Sequence, residues 1–95
     1  MLDAIRKNVP LEERLLGLAE EASELSQAAL KYRRALTKKN PTPLSEDDAY
    51  ENLLEEIADV NLYMDTLYIN TGTVKEHYNR KLRRWNDRLM KETQK

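Results

Sequence analysis

The sequence predicts an all-α protein, and three observations lead to that prediction. Apolar residues recur at intervals of three and four along almost the whole chain, which is the period of a helix rather than of a strand. Helix breakers are rare, because the 95 residues include only two glycines and three prolines. Residue pairs typical of helix starts occur at two positions. We therefore expect three main helices, over about residues 10–36, 46–70 and 73–93, in a single domain that covers residues 1–95.

The first helix is predicted to begin near Pro10, because proline fits the opening turn of a helix. Its apolar stripe runs to Leu36, and two prolines in three positions of the following segment, residues 37–45, predict a loop. A short helical turn is expected over residues 2–7. The predicted stripe consists of Leu11, Leu15, Leu18, Ala22, Leu25, Ala29, Tyr32 and Leu36.

The second helix is predicted to open at Ser45, since Asp48 three residues later completes a pair that resembles a capping box. It is expected to continue to about Asn70, where Thr71 and Gly72 end it. Its inward stripe would be Tyr50, Leu53, Ile57, Val60, Met64 and Leu67.

The third helix is predicted to open with a second capping box, formed by Thr73 and Glu76. It is strongly basic, which indicates an anionic partner. By helical rotation Lys81, Arg84 and Arg88 lie along one side of its stripe, where they could reach a polyphosphate. The alternative interpretation is that these side chains are solvated or paired with the abundant glutamates. Its stripe would be Val74, Tyr78, Leu82, Trp85 and Leu89.

Two acidic pairs with the same spacing lie in the two most apolar stretches of the chain. Glu21 and Glu24 form one pair, and Glu56 and Asp59 form the other. Residues three apart share a helix face, so each pair projects in one direction from the edge of its apolar stripe. Two such helices packed together would form a four-carboxylate cluster.

An unpaired charge beside core residues is unfavourable, so the cluster predicts a bound cation. Ligand sets made only of oxygen suit hard ions, with Mg²⁺ the expected one and Mn²⁺ an alternative. Tyr32 and Tyr63 edge the acidic face and are candidate substrate contacts. The structural alternative is that the acids are solvated edge charges or partners of the arginines.

Composition narrows the class of partner and compartment. With 16 basic and 17 acidic side chains, the balance argues against a nucleic-acid-binding or membrane-surface protein. The absence of cysteine excludes disulfides and thiolate metal sites and fits a reducing cytoplasm. No apolar run approaches the roughly 18 residues of a membrane span. A chain this short buries little core, so we expect a second copy to supply missing burial.

The two acidic motifs on helices of a short all-α chain resemble those of the MazG-like nucleoside triphosphate pyrophosphohydrolases. The resemblance covers most of residues 11–70. It implies that Glu21, Glu24, Glu56 and Asp59 bind Mg²⁺ and act in catalysis, and that dimerisation completes a helical bundle. A tryptophan that some relatives use for the base is replaced here by Lys31 and Tyr32.

The resemblance implies hydrolysis of a nucleoside triphosphate to its monophosphate and pyrophosphate, by a homodimer or homotetramer. A phosphate-contacting role for Lys81, Arg84 and Arg88 belongs to the same expectation. Two alternatives stay open. One is a helical dimerisation module without chemistry, and the other is a nucleotide-binding regulator without turnover.

Overall fold

In the computed structural model, which describes residues 1–38 and 44–94, the chain forms four helices. These are α1 (Leu2–Asn8), α2 (Leu11–Thr37), α3 (Glu46–Asp65) and α4 (Thr71–Thr93). The described residues contain no strand, which confirms the all-α prediction. Of the predicted 37–45 loop, residues 39–43 lie outside the described part. None of the described helices has the length and apolar character to cross a bilayer.

Four of the six predicted helix boundaries agree with the structure within one residue, and the other two differ. The short turn expected over residues 2–7 is the helix α1. The second predicted helix ends at Asp65 rather than Asn70, because the backbone leaves helical geometry after Thr66. The predicted cap of the last helix is also wrong. Asn70 caps α4, since its Oδ1 accepts a hydrogen bond from the Thr73 backbone N–H at 3.0 Å.

Local signals set the end of α2 and the start of α3, and of these the Ser45 cap is the one that the sequence predicts. Ser45 caps α3, and its Oγ accepts a hydrogen bond from the Asp48 N–H at 3.1 Å. Three acids in the first turn of α3 are favourable at the positive end of the helix dipole. At the other side of the loop, Lys38 adopts a left-handed conformation with φ 56°, and its N–H closes α2 on the Arg34 carbonyl.

Helices α2 and α3 pack against each other as an antiparallel pair. Gly17, near the start of α2, lies against Tyr63, near the end of α3. At the opposite end, the rings of Tyr32 and Tyr50 pack in a tilted arrangement with their centroids 5.5 Å apart. The seam between the helices is formed by small side chains, and its buried members are Gly17, Ala28, Ala35 and Ala49.

The predicted inward stripes are only partly covered in a single chain. In α2 the seam lies to one side of the apolar stripe, so Leu11, Leu15 and Leu36 remain about half exposed. In α3 the side chains of Tyr50, Ile57 and Met64 are likewise exposed. The pair therefore has a buried seam of small residues and a wider apolar face beside it.

Buried polar contacts tie α1 and the end of α3 to the start of α2. Arg14 is only 6% exposed, and its guanidinium donates hydrogen bonds to the carbonyls of Val9, at 3.0 Å, and of Thr66. Arg6 of α1 donates to the Asp65 carbonyl and lies over the Tyr68 ring, 4.9 Å from its centroid. These bonds fix where α3 ends relative to α2.

Candidate metal centre

Three of the four predicted metal ligands converge in the structure. Glu21 of α2 and Glu56 and Asp59 of α3 each offer a carboxylate oxygen, and these oxygens lie within 4.8 Å of one another. Glu21 and Glu56 are half-buried, whereas Asp59 is exposed. The prediction that the two acidic motifs face each other across packed helices agrees with this geometry.

The antiparallel seam explains why these acids meet. Glu21 lies one turn after Gly17 on α2, and Glu56 and Asp59 lie two turns and one turn before Tyr63 on α3. Because Gly17 and Tyr63 are in contact, the acids come opposite one another in the middle of the pair. The neighbouring acids Glu20 and Glu55 are exposed. Helical rotation places them on the outer side of the same face.

Partial burial and mutual repulsion both act on Glu21. Loss of hydration raises the pKa of this carboxyl above its usual 4.5, and the negative charges of Asp59 and Glu56, followed by those of Glu24 and Glu20, raise it further. Every named influence on Glu21 therefore disfavours its ionised form. An added positive charge at the cluster would offset this repulsion.

Glu56 shows the same imbalance and has an unsatisfied atom. Burial is the largest cause that raises the pKa of Glu56, followed by the charges of Asp59, Glu24 and Glu55. Its Oε2 is buried and accepts no hydrogen bond from the described residues. Buried carboxylate oxygens normally have a donor or a cation as partner. Glu56 Oε2 thus lacks a partner of the kind that a metal ion would supply.

The fourth predicted ligand, Glu24, lies outside the group of three. It is exposed on α2, one helical turn after Glu21. Its charge still raises the pKa of both Glu21 and Glu56, so it belongs to the same electrostatic neighbourhood.

The donor set fits a hard divalent cation. All the ligand atoms are carboxylate oxygens, which Mg²⁺ and Mn²⁺ prefer, and the group contains no nitrogen or sulfur donor. The ion pairs among the described residues join Arg6 to Asp3 and Lys38 to Glu46, and neither involves the cluster. The interpretation that arginines neutralise these acids therefore finds no support within one chain.

The two predicted tyrosine contacts have packing roles in the structure. The Tyr63 ring lies directly over Gly17, and it also lines a cavity of about 280 Å³ together with Arg14 and Thr66. The ring of Tyr32 packs against that of Tyr50 in a tilted arrangement, with an interplanar angle of 53°. Both tyrosines are half-buried, so each keeps an accessible edge beside the pair.

The three predicted phosphate contacts lie on α4. Lys81, Arg84 and Arg88 are all exposed. Lys81 borders a shallow pocket of about 250 Å³ with Tyr78, Leu82 and Trp85. Helix α4 does not take part in the extensive packing between α2 and α3. A single chain therefore leaves these basic residues on a separate element from the acid cluster.

Lys31 is a residue near the site whose role the sequence analysis did not assign. Its charge lowers the pKa of Glu56, in opposition to the surrounding acids. It is half-buried and lies two helical turns after Glu24 on the same side of α2. Side chains of a helix lean toward its N-terminus, which directs Lys31 back toward the acids. Lys31 could have been assigned to the site from the sequence, because it lies two helical turns after Glu24 and therefore on the same side of α2.

Comparison with known proteins adds no assignment to this geometry. No family model, curated protein or solved structure matches the chain.

Proposed function

We propose that this protein is a Mg²⁺-dependent nucleoside triphosphate pyrophosphohydrolase of the MazG-like kind. It would cleave a ribo- or deoxyribonucleoside triphosphate to the monophosphate and pyrophosphate. The observation that carries the proposal is the convergence of Glu21, Glu56 and Asp59 within 4.8 Å, with a buried Glu56 oxygen that has no partner. The acidic motifs that suggested the resemblance supply these three residues.

Within this proposal each group of residues has a defined task. Glu21, Glu56 and Asp59 would hold Mg²⁺, with Glu24 completing the set. Bound Mg²⁺ supplies a Lewis acid for the phosphates and lowers the pKa of coordinated water. A carboxylate of the cluster would accept the proton of the water that attacks the α-phosphorus, and pyrophosphate would leave.

The basic and aromatic residues would orient the substrate. Lys81, Arg84 and Arg88 would offset negative charge on the leaving phosphates. Tyr32 and Tyr63 would border the base. Because α4 stands apart from the cluster in one chain, the basic residues would act within a homodimer or homotetramer. The proposal implies that the protein acts in the cytoplasm, on the nucleotide pool there.

Product analysis tests the reaction. The protein is incubated with Mg²⁺ and a panel of common and modified nucleoside triphosphates, and the products are separated. We expect a monophosphate and pyrophosphate. A diphosphate with orthophosphate would refute the cleavage position, and absence of any product across the panel would refute turnover.

A pair of adjacent substitutions tests the metal centre. We expect Mg²⁺ to raise the melting temperature of the wild-type protein, because a ligand that binds the folded state stabilises it. Glu56→Gln should remove this rise and the hydrolysis. Glu55→Gln is the matched control, since Glu55 is exposed one position earlier and should keep both. Equal Mg²⁺ responses in the two variants would contradict the proposed site.

The exposed apolar surface favours a second candidate, a helical interaction module without chemistry. Such a module would assemble with no dependence on Mg²⁺. A protein that binds a nucleoside triphosphate with Mg²⁺ but forms no product would instead be a nucleotide-binding regulator. The two experiments above separate these candidates from the hydrolase.

A further inference from the structure

Helix α4 is amphipathic, and no helix of the described residues packs extensively on its apolar side. Every residue of α4 is exposed, including Trp85 at 61%. The apolar side includes four residues that are spaced by four, three and four positions: Tyr78, Leu82, Trp85 and Leu89. That spacing is typical of a helix that packs along other helices. A 23-residue helix with such a face indicates a protein partner that covers it.

The chain exposes more surface than a compact monomer of its mass. Its accessible area is 7980 Å², whereas a folded monomer of 11.2 kDa is expected to expose about 5,700 Å². Its radius of gyration is 17.6 Å, against about 12 Å for a compact chain of this length. The excess area, about 2,300 Å², is in the range that each partner buries in an obligate homodimer.

The receiving surface is the apolar face of the α2–α3 pair. At 100° per residue, Leu11, Leu15 and Ala22 of α2 lie about 120–160° from Gly17 of the seam, and Ile57 and Met64 of α3 lie about 60–80° from Ala49 in the same sense. In an antiparallel pair these two directions lie on one side. The acids Glu24 and Asp59 rotate the other way. The pair thus presents one apolar face and one acidic face.

Charge decides which surfaces meet. Helix α3 carries eight acidic and no basic side chains, and α2 carries five acidic and four basic ones, so the pair has a net charge of −9. Helix α4 carries seven basic and three acidic side chains, a net charge of +4. Two α2–α3 pairs would repel each other, and so would two α4 helices. An α4 helix and an α2–α3 pair attract.

We infer that α4 of one copy packs its apolar side on the apolar face of the α2–α3 pair of a second copy, in a reciprocal homodimer. The inference rests on the proposed homo-oligomer and names one of its contacts. Because this contact lies on the face turned away from Glu24 and Asp59, phosphate contacts by Lys81, Arg84 and Arg88 would come from a further copy, as in the homotetramer. The same chain contributes both surfaces, so the contact repeats twice around a two-fold axis. Asp47 and Asp65, which flank the apolar face of α3 by rotation, would lie near the basic flanks of the incoming helix.

A matched pair of variants on α4 tests the contact by sedimentation or light scattering over a range of concentrations. Leu82 and Met90 are equally exposed, at 52% and 54%, but Met90 lies about 120° away from the apolar side. Leu82→Glu should raise the dissociation constant of the dimer about thirtyfold or more, as loss of a central interface residue does. Met90→Glu should leave it nearly unchanged. Equal effects, or a wild-type chain that stays monomeric, would overturn the inference.

Cross-linking shows which surfaces touch, and the absence of native cysteine makes it clean. Ile57→Cys and Trp85→Cys are prepared as separate chains of different mass, mixed, and treated with a short bis-maleimide. We expect mainly the mixed product. Mainly Ile57→Cys self-pairs would show that two α2–α3 pairs meet, and mainly Trp85→Cys self-pairs would show that two α4 helices meet. Either result would overturn the inference.

The outcomes are independent of the hydrolase proposal. A monomeric protein that releases pyrophosphate would refute the docking surface and leave the reaction standing. A dimer that depends on Leu82 but forms no product would support the docking surface and refute the reaction. Circular dichroism of Leu82→Glu provides the folding control, since Leu82 is exposed within its own chain and its replacement should preserve the helical content.

Discussion

The ring of Tyr63 occupies the space that a side chain on Gly17 would need. A Cβ built at Gly17 would lie 2.9 Å from Tyr63 Cδ1 and still closer to Cε1 and Cζ. This contact brings α2 and α3 together one turn from Glu21. The packing and the acid cluster are therefore coupled through neighbouring positions of the same seam.

Gly17→Ala should lower the stability of the fold. Alanine favours a helix over glycine by about 1 kcal/mol, but overpacking a close contact costs about 1–3 kcal/mol. We expect the overlap with Tyr63 to prevail, and chemical denaturation measures the difference. Gly17→Ala combined with Tyr63→Leu should recover part of the loss, because the ring is then gone. A Gly17→Ala variant that is more stable than wild type would contradict the close contact between Gly17 and Tyr63.

The pH dependence of stability should report on Glu56 when divalent ions are absent. The folded-state pKa of Glu56 is raised above 4.5, so its protonation favours the folded chain. Its favourable contribution is complete below about pH 4.5 and is lost as pH rises through the raised pKa. We therefore expect Glu56→Gln to melt at a higher temperature than wild type at neutral pH, with the difference shrinking toward pH 4.5.

Glu55→Gln is the control for this pH effect, because it removes the same charge from an exposed position. It should change the melting temperature less than Glu56→Gln does. Added Mg²⁺ should make the wild type melt at a higher temperature than Glu56→Gln at neutral pH, because Glu56→Gln lacks one carboxylate of the cluster. An Mg²⁺ response that does not differ between wild type and Glu56→Gln would contradict the assignment.

Arg14→Met should destabilise the junction of α1, α2 and α3. The substitution keeps much of the side-chain length but leaves the carbonyls of Val9 and Thr66 without their donor. Removing one partner of a buried hydrogen bond costs about 1–3 kcal/mol. Thermal denaturation checks this expectation. Arg33→Met, an equal change at an exposed position of the same helix, should stay within about 0.5 kcal/mol of wild type.

Asn70→Ala should fray the start of α4 more than Thr73→Ala does. Asn70 supplies the cap to the Thr73 N–H, and loss of such a cap costs about 1 kcal/mol. Amide hydrogen exchange in the first turn of α4 measures the effect directly. Faster exchange in Thr73→Ala than in Asn70→Ala would restore the capping assignment that the sequence suggests.

The helices and the acid cluster could be predicted because both follow from local periodicity. Ser45 marks the start of α3 by its own side chain, and the rotation that groups Glu21 with the core edge needs only helix geometry. The sequence does not single out Asn70 because both Asn70 and Thr73 can cap the start of α4. Which of them does so depends on where the turn after α3 ends. The sequence favours Thr73 because Thr73 and Glu76 have the spacing of a capping box.

Burial was harder to predict than helix position. Periodicity identifies an apolar face on α2, α3 and α4, but it does not say which neighbour covers that face. In the structure Gly17 and Ala28 form the seam, while Leu15 and Trp85 stay exposed. Small residues pack two helices closely, and a pattern of large apolar residues gives little sign of that seam. Glu24 is as near the seam by rotation as Glu21 is, so helical periodicity does not show that its carboxylate stays outside the group of three.

The small residues that line the α2–α3 seam have a consequence for ion selectivity. With glycine and alanine at the contact, few side-chain atoms lie between the two helices, and the Tyr63 ring already fills the space beside Gly17. The gap between Glu21 and Glu56 therefore has a stiff frame and cannot easily widen. Such a frame should discriminate by ionic radius, accepting small octahedral cations in preference to Ca²⁺, whose longer bonds would force the helices apart.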